Sequence, residues 1–287
     1  MYHITIRPTT FRIEPYQRDQ NPFVEPTARL SMSKLLKDHR LLERALPDVH
    51  SYTFDTAEDL PDMVFTANAG LSLMNLPEKV LILPSMKFPQ RQRERPYIQA
   101  ICEKEGIRAI PFPSSDVFEG QAEAKWFHNG ALLVCTYGHR STRRTFTVLQ
   151  EMLRKIYASY SRPVPRVVAV PIESFDYYHT DIAMLEFDQT SCIVHGPAFS
   201  ARSLGRLRGA LGSENVHVIH DADPFCLNAI VDGDRVLTHQ VSAETRATLE
   251  RITGRRVVPF DTSITELSGG SVRCMVLDIH PVRPSPL

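Results

Sequence analysis

A recurring order of short apolar strands and longer amphipathic helices constrains this chain more than any other feature. HITIR opens it, and the first helix is predicted over 28–46; SYTF, GLSLM and VLIL follow. Further helices are predicted over 90–105, 141–157, 199–211 and 243–253. Between them lie RAIPF and ALLVC, then RVVAVP, IAMLEF and SCIVH, then VHVIH, AIVDG and RVLTH, and last RVVPF and RCMVLDI. These runs are short and rich in Val, Ile and Leu, as buried strands are. Within 141–157, Phe146, Leu149, Met152, Leu153 and Ile156 recur at three- and four-residue steps and form one apolar stripe. Pro96 predicts a late start or a break in the second helix. The unit of strands followed by a helix recurs about five times, with HITIR completing the last unit, and it repeats in pattern rather than in letters. This predicts an α/β protein of five similar units closed into one domain over 1–287. A doubly wound sheet is the alternative. It predicts a Gly-rich first turn, and neither GxGxxG nor GxxxxGK[ST] occurs.

Charge narrows the function classes. Lys and Arg number 33 against 33 Asp and Glu, so the formal net charge is zero. Nothing here predicts a basic nucleic-acid surface or a polybasic membrane face. The apolar runs are strand-sized, and MYHITIRPTT lacks the basic head and apolar stretch of a signal peptide, so the expectation is a soluble, cytoplasmic protein. Five cysteines stand singly with no CxxC, and HxxxH and GxSxG are missing. A disulfide framework, a zinc site and a serine elbow are therefore not indicated.

Five polar residues occupy corresponding places, each predicted in or beside a strand that follows a loop: Asn68, Glu119, His179, Asn228 and Cys274. Their intervals are 46–60 residues. One polar residue per unit is what a central site shared by all units requires. A thiol, an imidazole and a carboxylate together supply a nucleophile, a proton shuttle and an orienting group. Taken singly, each has a plainer reading: a buried hydrophobe for the cysteine, a satisfied strand histidine, a turn carboxylate. Cys274 is set apart by the preceding GGS, which lets backbone approach a ligand. Asp181, two residues after His179, is predicted on the same strand face and able to hold the imidazole. Cys102, Cys135, Cys192 and Cys226 read as core.

PDMVFTANAG, FEGQAEAKW, YGHRST, YYHTD, NAI and GGSVRC occur in that order, and the set resembles the guanidine-modifying enzymes of the pentein fold, a five-bladed α/β-propeller. That group includes arginine deiminases, dimethylarginine dimethylaminohydrolases, amidinotransferases and arginine dihydrolases. The dihydrolase branch is most similar, because FTANAG places Asn where deiminases have Asp. Three departures stand out. FEGQAE replaces the usual FEGxGD, HTD replaces HLD, and Val276 stands for a Thr.

The resemblance implies Cys274 as nucleophile on the guanidino carbon, His179 as acid and then base, and Glu119 and Asp181 as guanidinium or imidazole partners. It implies Asn68 as a further contact to the nitrogens and Arg140 as the partner of an amino-acid carboxylate, although STRR after it also allows a helix-capping or surface role. Asn21 in NPF is a binding candidate whose alternative is a simple Asn-Pro turn. Asn228 is assigned a structural role between units. The implied ligand is a small guanidino compound, arginine or a relative, with no cofactor, no metal, no nucleic acid and no membrane; a homo-oligomer is left open. The leading expectation is arginine hydrolysis to ornithine. The alternatives are a deiminase or dimethylaminohydrolase giving citrulline, amidino transfer to an amine, and, from another class, a non-catalytic binding pentein with no need for the three reactive residues together.

Overall fold

The computed structural model describes residues 1–14, 21–54, 60–221 and 223–284. Its strands are β1 (Tyr2–Ile6), β2 (Val49–Tyr52), β3 (Leu71–Ser72), β4 (Val80–Leu83), β5 (Arg108–Pro111), β6 (Ala124–Phe127), β7 (Leu132–Tyr137) and β8 (Arg166–Pro171). They continue as β9 (Met184–Glu186), β10 (Cys192–His195), β11 (Val216–Ile219), β12 (Ile230–Asp232), β13 (Arg235–His239), β14 (Arg256–Phe260) and β15 (Leu277–Ile279). They form five three-stranded sheets, ordered β15-β1-β2, β3-β4-β5, β6-β7-β8, β9-β10-β11 and β12-β13-β14. Within each sheet the first strand is antiparallel to the second, and the second is parallel to the third. A parallel step needs a crossover, and a helix supplies it in every unit. As the sequence predicts, β1 completes the unit that β15 begins.

The crossover helices are Met32–Ala45, Arg95–Glu105, Arg143–Ser159, Ala201–Leu211 and Ala243–Thr253. Side chains set their starts: Ser31, Ser200 and Ser242 accept from the backbone N–H three residues on, and Thr142 with Thr145 forms a reciprocal capping pair. The predicted break at Pro96 is present, as a short turn Pro89–Gln92 before the helix that begins at Arg95. Leu149, Leu153 and Tyr157 bury the stripe of the third helix against Leu133 and Cys135 of β7. Fully burying such a side chain stabilises by about 1.5–3 kcal/mol.

One strand has no counterpart in the sequence reading. Lys125 and Trp126 interrupt the apolar character of β6, yet Lys125 is buried and paired with Glu186 Oε2 at 2.8 Å, and Trp126 Nε1 donates to the Ser72 carbonyl at 3.0 Å. Both polar ends find partners on neighbouring sheets, which a single strand's letters do not reveal.

Each first strand is preceded by a short helical turn: Thr66–Ala69, Gly120–Glu123, Thr180–Ala183, Pro224–Leu227 and Arg273–Met275. Neighbouring turns touch in sequence, the last touches the first, and Asn228 bonds the backbone of the last. The five units thereby close into a ring. Among the described residues, no helix is long and apolar enough to cross a membrane.

Candidate active site

The ring of turns holds the polar residues. Asn68 lies inside the first turn, Glu119 and His179 are the N-caps of the second and third, Asn228 ends the fourth, and Cys274 lies in the fifth. All five are buried. The sequence predicts them in or beside strands, and each turn does lead into a strand; the reading of His179 and Asp181 on one strand face is corrected, with chemical consequences. His179 is extended (φ −130°, ψ 159°) while Asp181 is already helical, so the two-residue spacing does not put them on one face. They serve different partners.

His179 Nε2 donates to Glu119 Oε2 at 2.7 Å. The same oxygen accepts from Arg140 Nη1 at 3.2 Å and Asn68 Nδ2 at 3.4 Å, and Oε1 accepts from the Lys87 N–H at 3.1 Å. Burial pushes the Glu119 carboxyl up, but Arg140 and His179 overcome it and hold the group well below the usual range. Glu119 is an anion. Beneath it, Glu123 accepts from the N–H groups of Glu119 at 2.8 Å and Ser141 at 3.2 Å. Burial and the charge of Glu119 push Glu123 up to about 8. The FEGQAE departure therefore keeps a carboxyl under the glutamate, in a mostly protonated form at neutral pH.

Asp181 attends the sulfur instead. Cys274 Sγ donates to Asp181 Oδ2 at 3.6 Å and accepts from Asn228 Nδ2 at 3.1 Å. Burial, then the charge of Asp181, raises the thiol well above its ordinary value, so the ligand-free sulfur is protonated. Burial also raises Asp181, opposed by His179, Lys125 and Arg273. Its Oδ1 is buried and has no hydrogen-bond partner among the described residues. Arg273, next to the sulfur in sequence, turns its fork to Asp278 at 2.7 and 3.2 Å.

Asn21 makes an Asx turn, accepting from the Phe23 N–H at 3.2 Å, and its Nδ2 donates to the Ser268 carbonyl at 2.9 Å. It thus ties the NPF segment to the glycine loop before Cys274. Arg140 is neither a helix cap nor a surface group: it is buried, with Cζ 4.9 Å from the Phe88 ring and 4.8 Å from Tyr178. The HTD departure is also accommodated, since Thr180 Oγ1 lies 2.7 Å from Thr136 Oγ1. Cys102, Cys135, Cys192 and Cys226 are buried free thiols, all in apolar clusters.

A cavity of about 30 Å³ brings Asn68, His179, Cys274, Arg140 and Asn21 together. It also brings in residues that the sequence reading did not single out: Asp62, Phe65, Phe88, Arg91 and Tyr178. Asp62 stood in the quoted PDMVFTANAG, so position relative to that motif was an available signal. Arg91 was not within reach of such reasoning. It lies outside every motif that carries the resemblance, and its burial against Glu94 and the Asp62 and Phe65 carbonyls is a tertiary fact.

No family model matches the chain. A dimethylarginine dimethylaminohydrolase from Mycobacterium tuberculosis is 30% identical over 222 residues, covering 77% of this chain and 67% of that protein. The bifunctional arginine dihydrolase/ornithine cyclodeaminase ArgZ of Synechocystis is 27% identical over 233 residues, covering 79% of this chain; the match spans only 31% of that protein. A crystal structure of the N-terminal domain of ArgZ bound to substrate, described as an arginine dihydrolase of cyanobacteria, superposes with a TM-score of 0.81 at 22% identity, covering 98% of each chain. The class is a pentein of hydrolases that act on C–N bonds of amidines. The chain belongs to its guanidine-modifying superfamily, alongside the dimethylarginine dimethylaminohydrolases and arginine dihydrolases.

Proposed function

We propose that this chain, as one pentein domain over 1–287, is a cysteine-dependent hydrolase of a free guanidino amino acid, L-arginine in the first instance, and that it carries arginine to ornithine, carbon dioxide and ammonia. The observation that carries the reading is the arrangement at Asp181: one oxygen accepts from the Cys274 thiol, and the other, buried, has no donor among the described residues. A guanidinium N–H is the donor that such a carboxylate lacks, and it sets the guanidino carbon beside the sulfur.

The cation also changes the thiol. Its charge offsets that of Asp181, lowering the cost of a thiolate; the thiol proton passes to His179 and the sulfur attacks the guanidino carbon. His179, oriented by Glu119, protonates the departing amine and then takes a proton from the water that opens the amidino-cysteine adduct. Asn68 favours a second round. Its Nδ2 donates to Glu119, and a carboxamide offers both a donor and an acceptor, so it suits a guanidinium and then the neutral ureido group of citrulline. Two such rounds consume two waters and release two ammonia. In this reading Arg140 meets the ligand carboxylate.

A second reading is hydrolysis of dimethylated arginine with release of dimethylamine, favoured by the 30% identity to a protein of that name. Ornithine, citrulline and amines are to be quantified after incubation with arginine and with dimethylarginine, for the wild type and Asn68→Asp. Ornithine from arginine, shifting toward citrulline in the variant, supports the proposal. Citrulline alone from the wild type overturns the second round, and dimethylamine release in preference to arginine turnover selects the second reading.

A further inference from the structure

The ring of turns separates two cavities. Cys274 of the fifth turn lines the active-site cavity; Arg273, its neighbour, lines another of about 320 Å³, and the two share no lining residue. The second is walled by strands that leave the turns: Lys125 and Trp126 of β6, Glu186 of β9, Val231 of β12 and Asp278 of β15. Four of the five units therefore contribute their first strand to it. The hydrolytic reading makes no use of this space. An apolar cavity of about 150 Å³ holds benzene, so twice that volume suits a ligand of about a dozen non-hydrogen atoms.

The wall carries both signs of charge and an open group of each hydrogen-bonding kind. Lys125 Nζ lies 2.8 Å from Glu186 Oε2, and Arg273 holds Asp278 through Nη1 and Nη2. Arg273 Nε is buried with no acceptor among the described residues. Glu186 Oε2, although within ion-pair distance of Lys125, receives no hydrogen bond among them. Asp188, exposed at the rim, already accepts from the N–H groups of Thr190 and Ser191, each at 2.7 Å. Leaving a buried donor or acceptor unbonded is costly, so Arg273 Nε and Glu186 Oε2 are the places where a ligand gains most.

We infer that this cavity is a second binding site, for a free α-amino acid with an apolar side chain: the ligand carboxylate meets Arg273 Nε, its ammonium meets Glu186 Oε2, and its side chain lies against Trp126 and Val231. Charge selects the class. Lys125 pairs with Glu186 and Arg273 with Asp278, so an acid or an amine alone brings an uncompensated charge into a chiefly apolar space. A zwitterion brings none. The open donor belongs to one unit and the open acceptor to another, so the two ends of one small ligand are held at once. The inference stands apart from the guanidino-hydrolase reading, because no residue of one cavity lines the other.

Trp126 is the only tryptophan of the chain, so its emission reports on this cavity directly. The test titrates the full chain with L-phenylalanine, with 3-phenylpropionate, which lacks the ammonium, and with phenethylamine, which lacks the carboxylate. The expected result is a saturable change in Trp126 emission, with L-phenylalanine bound at least tenfold more tightly than either of the others. Calorimetry then compares the wild type with Val231→Trp, which fills the cavity, and thermal unfolding checks that this variant is folded. L-Phenylalanine is expected to bind the folded variant at least tenfold more weakly. Absence of a saturable emission change overturns the inference, as does equal or tighter binding of either single-charge compound. Undiminished binding to folded Val231→Trp overturns it as well. The three-compound series needs no substitution, so it decides the matter even where Val231→Trp fails to fold. All of these outcomes leave the hydrolase reading intact.

Discussion

Asn228 holds the nucleophile from both sides of its own carboxamide: Nδ2 donates to Cys274 Sγ at 3.1 Å, and Oδ1 accepts from the N–H of Arg273 at 2.9 Å and of Cys274 at 3.3 Å. Nδ2 also donates to the Asp181 carbonyl at 3.1 Å. A residue assigned from sequence to bonding between units does so, and it also touches the sulfur.

Asn228→Ala therefore strands the Cys274 N–H and the Asp181 carbonyl, while the Arg273 N–H keeps the Asn228 backbone carbonyl at 3.3 Å. Stability is expected to fall by about 2–4 kcal/mol, at about 1–3 kcal/mol for each stranded group with partial relaxation. Asn228→Asp restores the acceptor but sets an anion beside the sulfur. Its thiol should alkylate more slowly than the wild type at pH 8, with turnover falling in parallel. Denaturant melts and iodoacetamide kinetics read the two effects separately.

Asp181→Asn is expected to move reactivity and turnover in opposite directions. The charge of Asp181 is the second cause, after burial, of the raised Cys274 thiol. Its removal should shift the alkylation profile of Cys274 to lower pH, while guanidine hydrolysis drops by at least a hundredfold through loss of the acceptor. A profile unchanged or shifted upward would sink this account of the thiol.

His239 predicts an alkaline loss of stability. Burial would lower it, but Asp223 Oδ2 at 2.7 Å and Glu266 Oε1 at 3.0 Å outweigh that and raise it to about 9. Because the folded value is the higher, the stabilisation is fully present below about pH 6.5 and is lost as pH rises through 9. It amounts to roughly 3 kcal/mol at about 1.4 kcal/mol per unit. Glu266 also accepts from Ser271 Oγ at 3.0 Å, so the loop leading to Cys274 should loosen first. Urea melts of wild type and His239→Gln between pH 6 and 10 should show the slope in the wild type alone.

Gly269→Ala tests the glycine loop. Gly269 has φ +84°, and an added Cβ would lie 2.0 Å from Asn21 Nδ2. Backbone strain and displacement of Asn21 from Ser268 should together cost about 2–4 kcal/mol. A drop in melting temperature of several degrees, with weaker arginine binding, is the expected outcome. A variant matching the wild type in both would show that Asn21 is not needed there.

Local letters determined a good deal of this. The spacing of Phe146, Leu149, Leu153 and Ile156 marks a helix in any surroundings, and runs such as VLIL and SCIVH are strands once turns bound them, so the five units were legible. The order of PDMVFTANAG, FEGQAE, YYHTD and GGSVRC carried the family. Local pattern failed where a residue's state depends on a distant unit. Lys125 in β6 reads as polar until Glu186 lies opposite it. His179 and Asp181 are two letters apart, but one answers to Glu119 in the preceding unit and the other to Cys274 in the last. Arg140 reads as the start of a helix until closure of the ring sets it between Phe88, Tyr178 and Glu119. Periodicity records which face of a segment is buried; which anion a buried cation meets is decided only when five separate segments close on one axis, because Coulomb and hydrogen-bond energies depend on distance in space and not along the chain.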